Sequence, residues 1–134
     1  MSTVRTSDSR RSYRALIVED DAAIRRLVSK LLGRHEVEVD VVSDGRAAIE
    51  KLQQTRYSVL VLDLMVPEVN GFEVIEYMKL ANVTTPVAVV SAVSQQALTK
   101  LDLDIVKLVI SKPFDVDEFT RAILRLCEEA DENA

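Results

Sequence analysis

Short apolar runs alternate along this chain with segments of helical period, five of each, and little else fits that order than a sheet covered by helices. The runs are Tyr13–Val18, Val37–Val42, Val59–Leu64, Pro86–Val90 and Val106–Ile110. They are rich in Val, Ile and Leu, which suit extended backbone. Between and after them, apolar residues recur one helical turn apart. Asp21 is the expected N-cap of the first helix, whose stripe is Ile24, Leu27, Val28, Leu31 and Leu32, with Gly33 as its stop. The second spans 45–54 after Asp44-Gly45, with Ala48, Ile49 and Leu52 inside. The third follows Asn70-Gly71 and carries Phe72, Ile75, Met78 and Lys79; a weaker fourth covers Gln95–Leu101. Asp115, with Glu118 at capping-box spacing, opens the last, whose expected inner face is Val116, Phe119, Ile123 and Leu126.

Strand and helix in strict turn imply parallel pairing through right-handed crossovers. The run 59–64 is the most apolar and reads as a central strand buried on both faces. The expected fold is α/β: a doubly wound five-stranded parallel sheet of order 2-1-3-4-5 with five helices, flavodoxin-like. At 134 residues the chain supports one domain. Residues 1–12 read as a disordered N-terminal tail, 13–130 as the folded domain and 131–134 as a C-terminal tail.

Charge and cysteine content exclude several function classes. A net charge of −5 argues against direct nucleic-acid binding, which needs a clustered basic face. Arg5, Arg10, Arg11 and Arg14 lie in a Ser/Thr-rich opening and read as a solvated tail rather than a phosphate or membrane contact. No apolar run approaches the ~18 residues of a membrane span. Cys127, the single cysteine, excludes an internal disulfide, fits a reducing cytoplasm, and reads as a small buried side chain rather than a nucleophile.

Polar residues end these runs in a pattern that points to chemistry. Glu19 and Asp20 follow the first, Asp63 closes the third, Ser91 follows the fourth and Lys112 the fifth. In an open parallel sheet these ends border the ligand crevice. Singly each has a plain structural explanation: a first-turn acid, a strand-closing Asp, a helix cap, a surface lysine. Jointly they would have to meet at one edge by accident. Three carboxylates there require a cation, and at least one should titrate above its ordinary value.

These residues sit in Leu16-Ile-Val-Glu-Asp-Asp21 with Ile24-Arg25, in Val61-Leu-Asp-Leu-Met-Val-Pro-Glu-Val-Asn-Gly71, in Val89-Val-Ser-Ala92 and in Ser111-Lys-Pro-Phe114. In order and separation the chain resembles the receiver domain of two-component response regulators, over about Arg14–Glu129. The resemblance implies a phosphorylation-controlled signalling switch rather than a turnover enzyme, with Asp63 the phosphoacceptor for a sensor histidine kinase or phosphotransfer protein. It implies Mg2+ held by Asp20 directly, by Glu19 largely through water, by Asp63 and by the backbone carbonyl of Met65. Ser91 and Lys112 would contact the phosphoryl group, and Asp21 would only cap its helix. Such a regulator, with no output module in these 134 residues, would act on an unknown downstream protein by contact.

The sequence departs from the family where the fifth strand begins. Ile105 and Val106 stand where Gly-Ala is usual, and Val109 where an aromatic is usual, so the switch region would comprise Ser91 and Val109 without an aromatic rotamer. Leu101, Leu103, Ile105, Leu108 and Val109 form an aliphatic stretch, read either as added core or as a partner or homodimer face of fourth helix, fifth strand and fifth helix. Two other classes fit these residues less well. A haloacid dehalogenase-type phosphatase needs an acid two residues after its nucleophile, where Met65 stands. A receiver-like module working without phosphorylation would be expected to have lost an acid or the lysine.

Overall fold

The structure is a computed structural model and describes residues 12–132. Its elements are β1 Tyr13–Val18, α1 Ala22–Gly33, β2 Val37–Val42, α2 Gly45–Gln54, β3 Val59–Leu62, α3 Gly71–Leu80, β4 Val87–Ser91, α4 Gln95–Leu98, β5 Val106–Ser111 and α5 Val116–Glu132. All strands pair in parallel, in the order β2-β1-β3-β4-β5. The alternation of side chains along each strand divides the core in two. Leu16, Val18, Leu60, Leu62, Val87 and Val89 face α2 and α3, meeting Ala48, Leu52, Val74, Ile75 and Met78. Ala15, Ile17, Val59, Val61, Ala88 and Val90 face α1 and α5, meeting Val28, Leu32, Phe119, Ile123 and Cys127. Each fully buried Leu or Ile contributes roughly 1.5–3 kcal/mol, so the layers hold the sheet from both sides. The expected doubly wound fold is the observed one.

Several local expectations are corrected. β3 ends at Leu62, so Asp63 leaves the strand, though its N–H still donates to Val18 O at 3.0 Å. β4 begins after Pro86, which has no N–H, and extends through Ser91. α4 is a single turn, not the helix to Leu101 that its sequence suggested. None of its four residues is buried, so no apolar face sustains further turns. Gly33 is the last residue of α1 rather than its left-handed stop, and Glu36 takes the positive φ, 63°. Val116 is exposed, unlike Phe119, Ile123 and Leu126. Arg14 belongs to β1, where it pairs with Glu38 at 3.3 Å and Asp40 at 3.8 Å of β2. The other three arginines of the opening, with the rest of residues 1–11, lie outside the described residues, as do 133–134; α5 runs to Glu132, into the stretch expected as a C-terminal tail.

Candidate functional site

Chain geometry at the carboxyl edge of the sheet gathers the polar groups. Glu19 N–H donates to Val42 O at 3.1 Å, which extends the β1–β2 ladder by one residue into the crevice. Asp21 then caps α1, its Oδ1 accepting from Ala23 and Ile24 N–H at 2.9 and 3.1 Å. The loop after β3 is held by two glycines. A Cβ on Gly71 would lie 2.6 Å from Leu64 Cα, and one on Gly45 would lie 1.7 Å from Val69 O. Both positions therefore let backbone approach backbone. Lys112 enters from the end of β5, its N–H donating to Ser91 O at 3.2 Å.

Lys112 is the hub. Its Nζ donates to Glu19 Oε1 at 2.7 Å and to Asp63 Oδ2 at 2.8 Å. Asp63 Oδ1 accepts from Ser91 Oγ at 3.0 Å and from Met65 N–H at 2.9 Å. Glu19 Oε2 accepts from Asp21 N–H at 3.1 Å. Glu19, Asp63 and Ser91 are buried, whereas Asp20 is exposed. Burial raises the Asp63 pKa, but Lys112, the Met65 amide and the Ser91 hydroxyl outweigh it and hold the carboxyl below its ordinary range. Burial raises Glu19, and there the lysine and the Asp21 amide offset it only in part, so Glu19 sits above its ordinary value. The expected upward shift is thus present, with burial as its first cause and the Asp63 charge a smaller one. Burial disfavours the Lys112 ammonium, yet its two carboxylate partners raise its pKa.

One carboxylate oxygen from each of Glu19, Asp20 and Asp63 lies within 4.8 Å of the other two. Hard oxygen donors with room for water suit Mg2+. Among the described residues, no hydrogen bond or ion pair engages the Asp20 carboxylate. The sequence-derived residues Glu19, Asp20, Asp63, Ser91 and Lys112 thus meet in one pocket. Ser91 does not cap α4; Ser94 does. Met65 reaches the pocket through its backbone N–H, the residue as a whole being 65% exposed. Val109 is 40% exposed on the edge strand β5 and lies in register with Val89 rather than in the pocket. Sequence reasoning gave no role to Arg25, whose Nη1 donates to Glu19 O at 2.8 Å, and read Gly45 only as the break into a helix. A cleft of about 1030 Å3 opens at the opposite edge, between Tyr13, Arg56, Asn82 and Lys107, and none of the site residues lines it.

The family model of the response regulator receiver domain matches residues 15–124. The chain belongs to this family. Receiver domains are signalling domains of two-component systems, switched by phosphorylation, rather than turnover enzymes. The response regulator ArlR of Staphylococcus saprophyticus is 34% identical over 115 residues, covering 82% of this chain and 51% of that one. This receiver domain therefore spans about half the length of the curated relatives it matches first. In structure it is similar to the CheY-like receiver domain protein of Methanospirillum hungatei, with a TM-score of 0.84, 20% identity, and 91% and 98% of the two chains covered. It is also similar to the receiver domain of the sensor histidine kinase PA1611 of Pseudomonas aeruginosa, with a TM-score of 0.77, 21% identity, and 87% and 98% covered. That protein has a magnesium ion coordinated in its active-site cleft. Among the described residues of this receiver domain, no helix is long and apolar enough to cross a membrane.

Proposed function

We propose that this receiver domain accepts a phosphoryl group on Asp63 from a sensor histidine kinase or phosphotransfer protein, with Mg2+, and signals in the cytoplasm by contact with a downstream protein. The observation that carries this reading is the Asp63 carboxylate. It is buried at the carboxyl edge of the sheet, held ionised by Lys112, Ser91 and the Met65 amide, and set against two further acids. An ionised carboxylate is the nucleophile an acyl phosphate needs.

Asp20 would hold the ion directly, as the acid of the cluster without a hydrogen bond. Glu19, with both oxygens engaged, would act through water. Asp63 and the Met65 backbone carbonyl would complete the protein's ligands. When bound, the ion supplies positive charge against the phosphoryl oxygens. In the transfer, an Asp63 oxygen forms the new P–O bond as the P–N bond to the donor histidine breaks. The electron pair stays on the imidazole nitrogen, which takes a proton. Lys112 Nζ then bonds a phosphoryl oxygen, and the Ser91 hydroxyl turns from Asp63 Oδ1 to another. The same groups serve the domain in catalysing its own phosphorylation and dephosphorylation.

Turning Ser91 biases the segment beyond β4, because its hydroxyl meets a phosphoryl oxygen in one state only. With Val109 in place of an aromatic, the change passes through the loop Ser91–Gln96 and the stretch Leu101–Val109. This stretch divides: Leu101 is buried, while Leu103 is 74% exposed and Val109 40%. Together with Val116 these exposed side chains favour a partner or homodimer surface on α4, β5 and α5. A non-phosphorylated interaction module is the weaker reading, since every acid and the lysine are present and Lys112 joins Glu19 to Asp63. The test is incubation with acetyl phosphate and Mg2+, read by intact mass. One added phosphoryl group, abolished by Asp63→Ala, is expected; labelling that survives the substitution removes Asp63 as acceptor.

A further inference from the structure

We infer that Arg25 is a positioning residue for the cation site: its guanidinium fixes the Glu19 carbonyl and thereby aims the acid pair. The inference rests on the metal reading above and adds a residue to it. Arg25 is the fourth residue of α1, where the helix dipole disfavours a cation. It forms no ion pair among the described residues. Its bond is instead to a backbone atom, Nη1 donating to Glu19 O at 2.8 Å.

That carbonyl begins the peptide that leads from Glu19 into Asp20. Glu19 is already held at its N–H by Val42 O and at its carboxylate by Lys112 and the Asp21 amide. Asp21 is held by its capping bonds to Ala23 and Ile24. Asp20 lies between them with its carboxylate unengaged, so its direction depends on the peptide plane joining it to Glu19. The Arg25 bond sets that plane. Partners one shell outside a metal are worth about tenfold to a hundredfold in affinity when removed.

Charge and positioning give opposite signs, which makes the role testable. A guanidinium beside a cation site repels the cation, so if Arg25 acted only as a charge, removing it would tighten Mg2+ binding. If it positions the acids, removal loosens binding. Calorimetric titration of Mg2+ into the intact protein should find Arg25→Met weaker by about tenfold. Arg25→Lys, which keeps a donor of similar reach, should recover most of the loss. Arg26→Met, at an exposed neighbour of equal charge, should bind as the parent does. In the metal-free protein, amide exchange at Asp20 and Asp21 should quicken in Arg25→Met and not in Arg26→Met. Binding by Arg25→Met equal to or tighter than the parent, or a lysine variant no better than methionine, overturns the inference. Asp20→Asn separates the two readings. If it binds Mg2+ as the parent does, the metal site is misplaced and this inference falls with it. If it loses binding while Arg25→Met does not, only the role of Arg25 fails.

Discussion

Replacing Lys112 with methionine keeps the apolar stem and removes the ammonium that joins Glu19 to Asp63. Its contacts are 2.7 and 2.8 Å. At an effective dielectric of ~20, each is worth roughly 6 kcal/mol before desolvation. Burying the ammonium offsets much of this, and breaking a buried pair costs about 3–5 kcal/mol in net terms. The lysine side chain keeps 18% exposure, so screening reduces the expected loss to about 2–4 kcal/mol. A domain stable by roughly 5–15 kcal/mol remains folded. The loss should depend on pH. In the parent, the depressed Asp63 pKa contributes stability present above its ordinary 3.8 and lost as pH falls through the lower folded value. Glu19, raised above its ordinary 4.5, contributes below that value and loses the contribution as pH rises through the folded one. Without Lys112 both carboxyls shift upward, so the deficit is full at neutral pH and shrinks through the carboxylate range. Urea unfolding followed by circular dichroism in metal-free buffer, at about pH 7 and about pH 4, measures both arms. A loss below about 0.5 kcal/mol at neutral pH, or one equal at both, would refute the reasoning.

Gly45→Ala should destabilise by about 2 kcal/mol, because the methyl meets backbone and the Val69 carbonyl has to move; an unchanged urea midpoint contradicts this. Stability should fall as pH rises from about 9 to 12. Burial raises Cys127 from 9.0 to about 12; burial and then Asp40 raise Tyr57 from 10.0 to about 12; and Lys112 is raised above 10.5. Each contributes stability below its ordinary pKa that is lost as pH passes through the folded value, so a urea midpoint flat between pH 8 and pH 11 counts against these shifts. Beryllofluoride with Mg2+ should alter amide exchange over Leu101–Val109 as well as in the pocket loops. Changes confined to the pocket would leave that stretch outside the switch.

Much of this was legible because apolar pattern and strand-end position are local signals. Val59–Leu62 and Val87–Val90 announce central strands by having no polar face, and parallel order follows from the helices between them. Placing Glu19, Asp63, Ser91 and Lys112 at one edge required only that order. The contacts among them were not legible. Lys112 lies 93 residues from Glu19 and 49 from Asp63, and no local rule states that one amine serves both. Helix length misled at α4, where Gln95 and Gln96 satisfy helix propensity but bury nothing. Composition alone could not divide the aliphatic stretch, since Leu101 and Leu103 are the same residue type, yet one is buried and the other exposed. Arg25 was hidden for another reason: its partner is a carbonyl, and backbone partners leave no trace in side-chain pattern.

On the proposed mechanism, Asp63 becomes an acyl phosphate. Borohydride reduces such a group to an alcohol, converting the phosphorylated aspartate to homoserine. The protein treated with acetyl phosphate and Mg2+, reduced, digested and mapped by mass spectrometry should carry homoserine at position 63 and at no other aspartate. Homoserine at Asp20 or elsewhere, or none despite an added phosphoryl mass, would contradict the account.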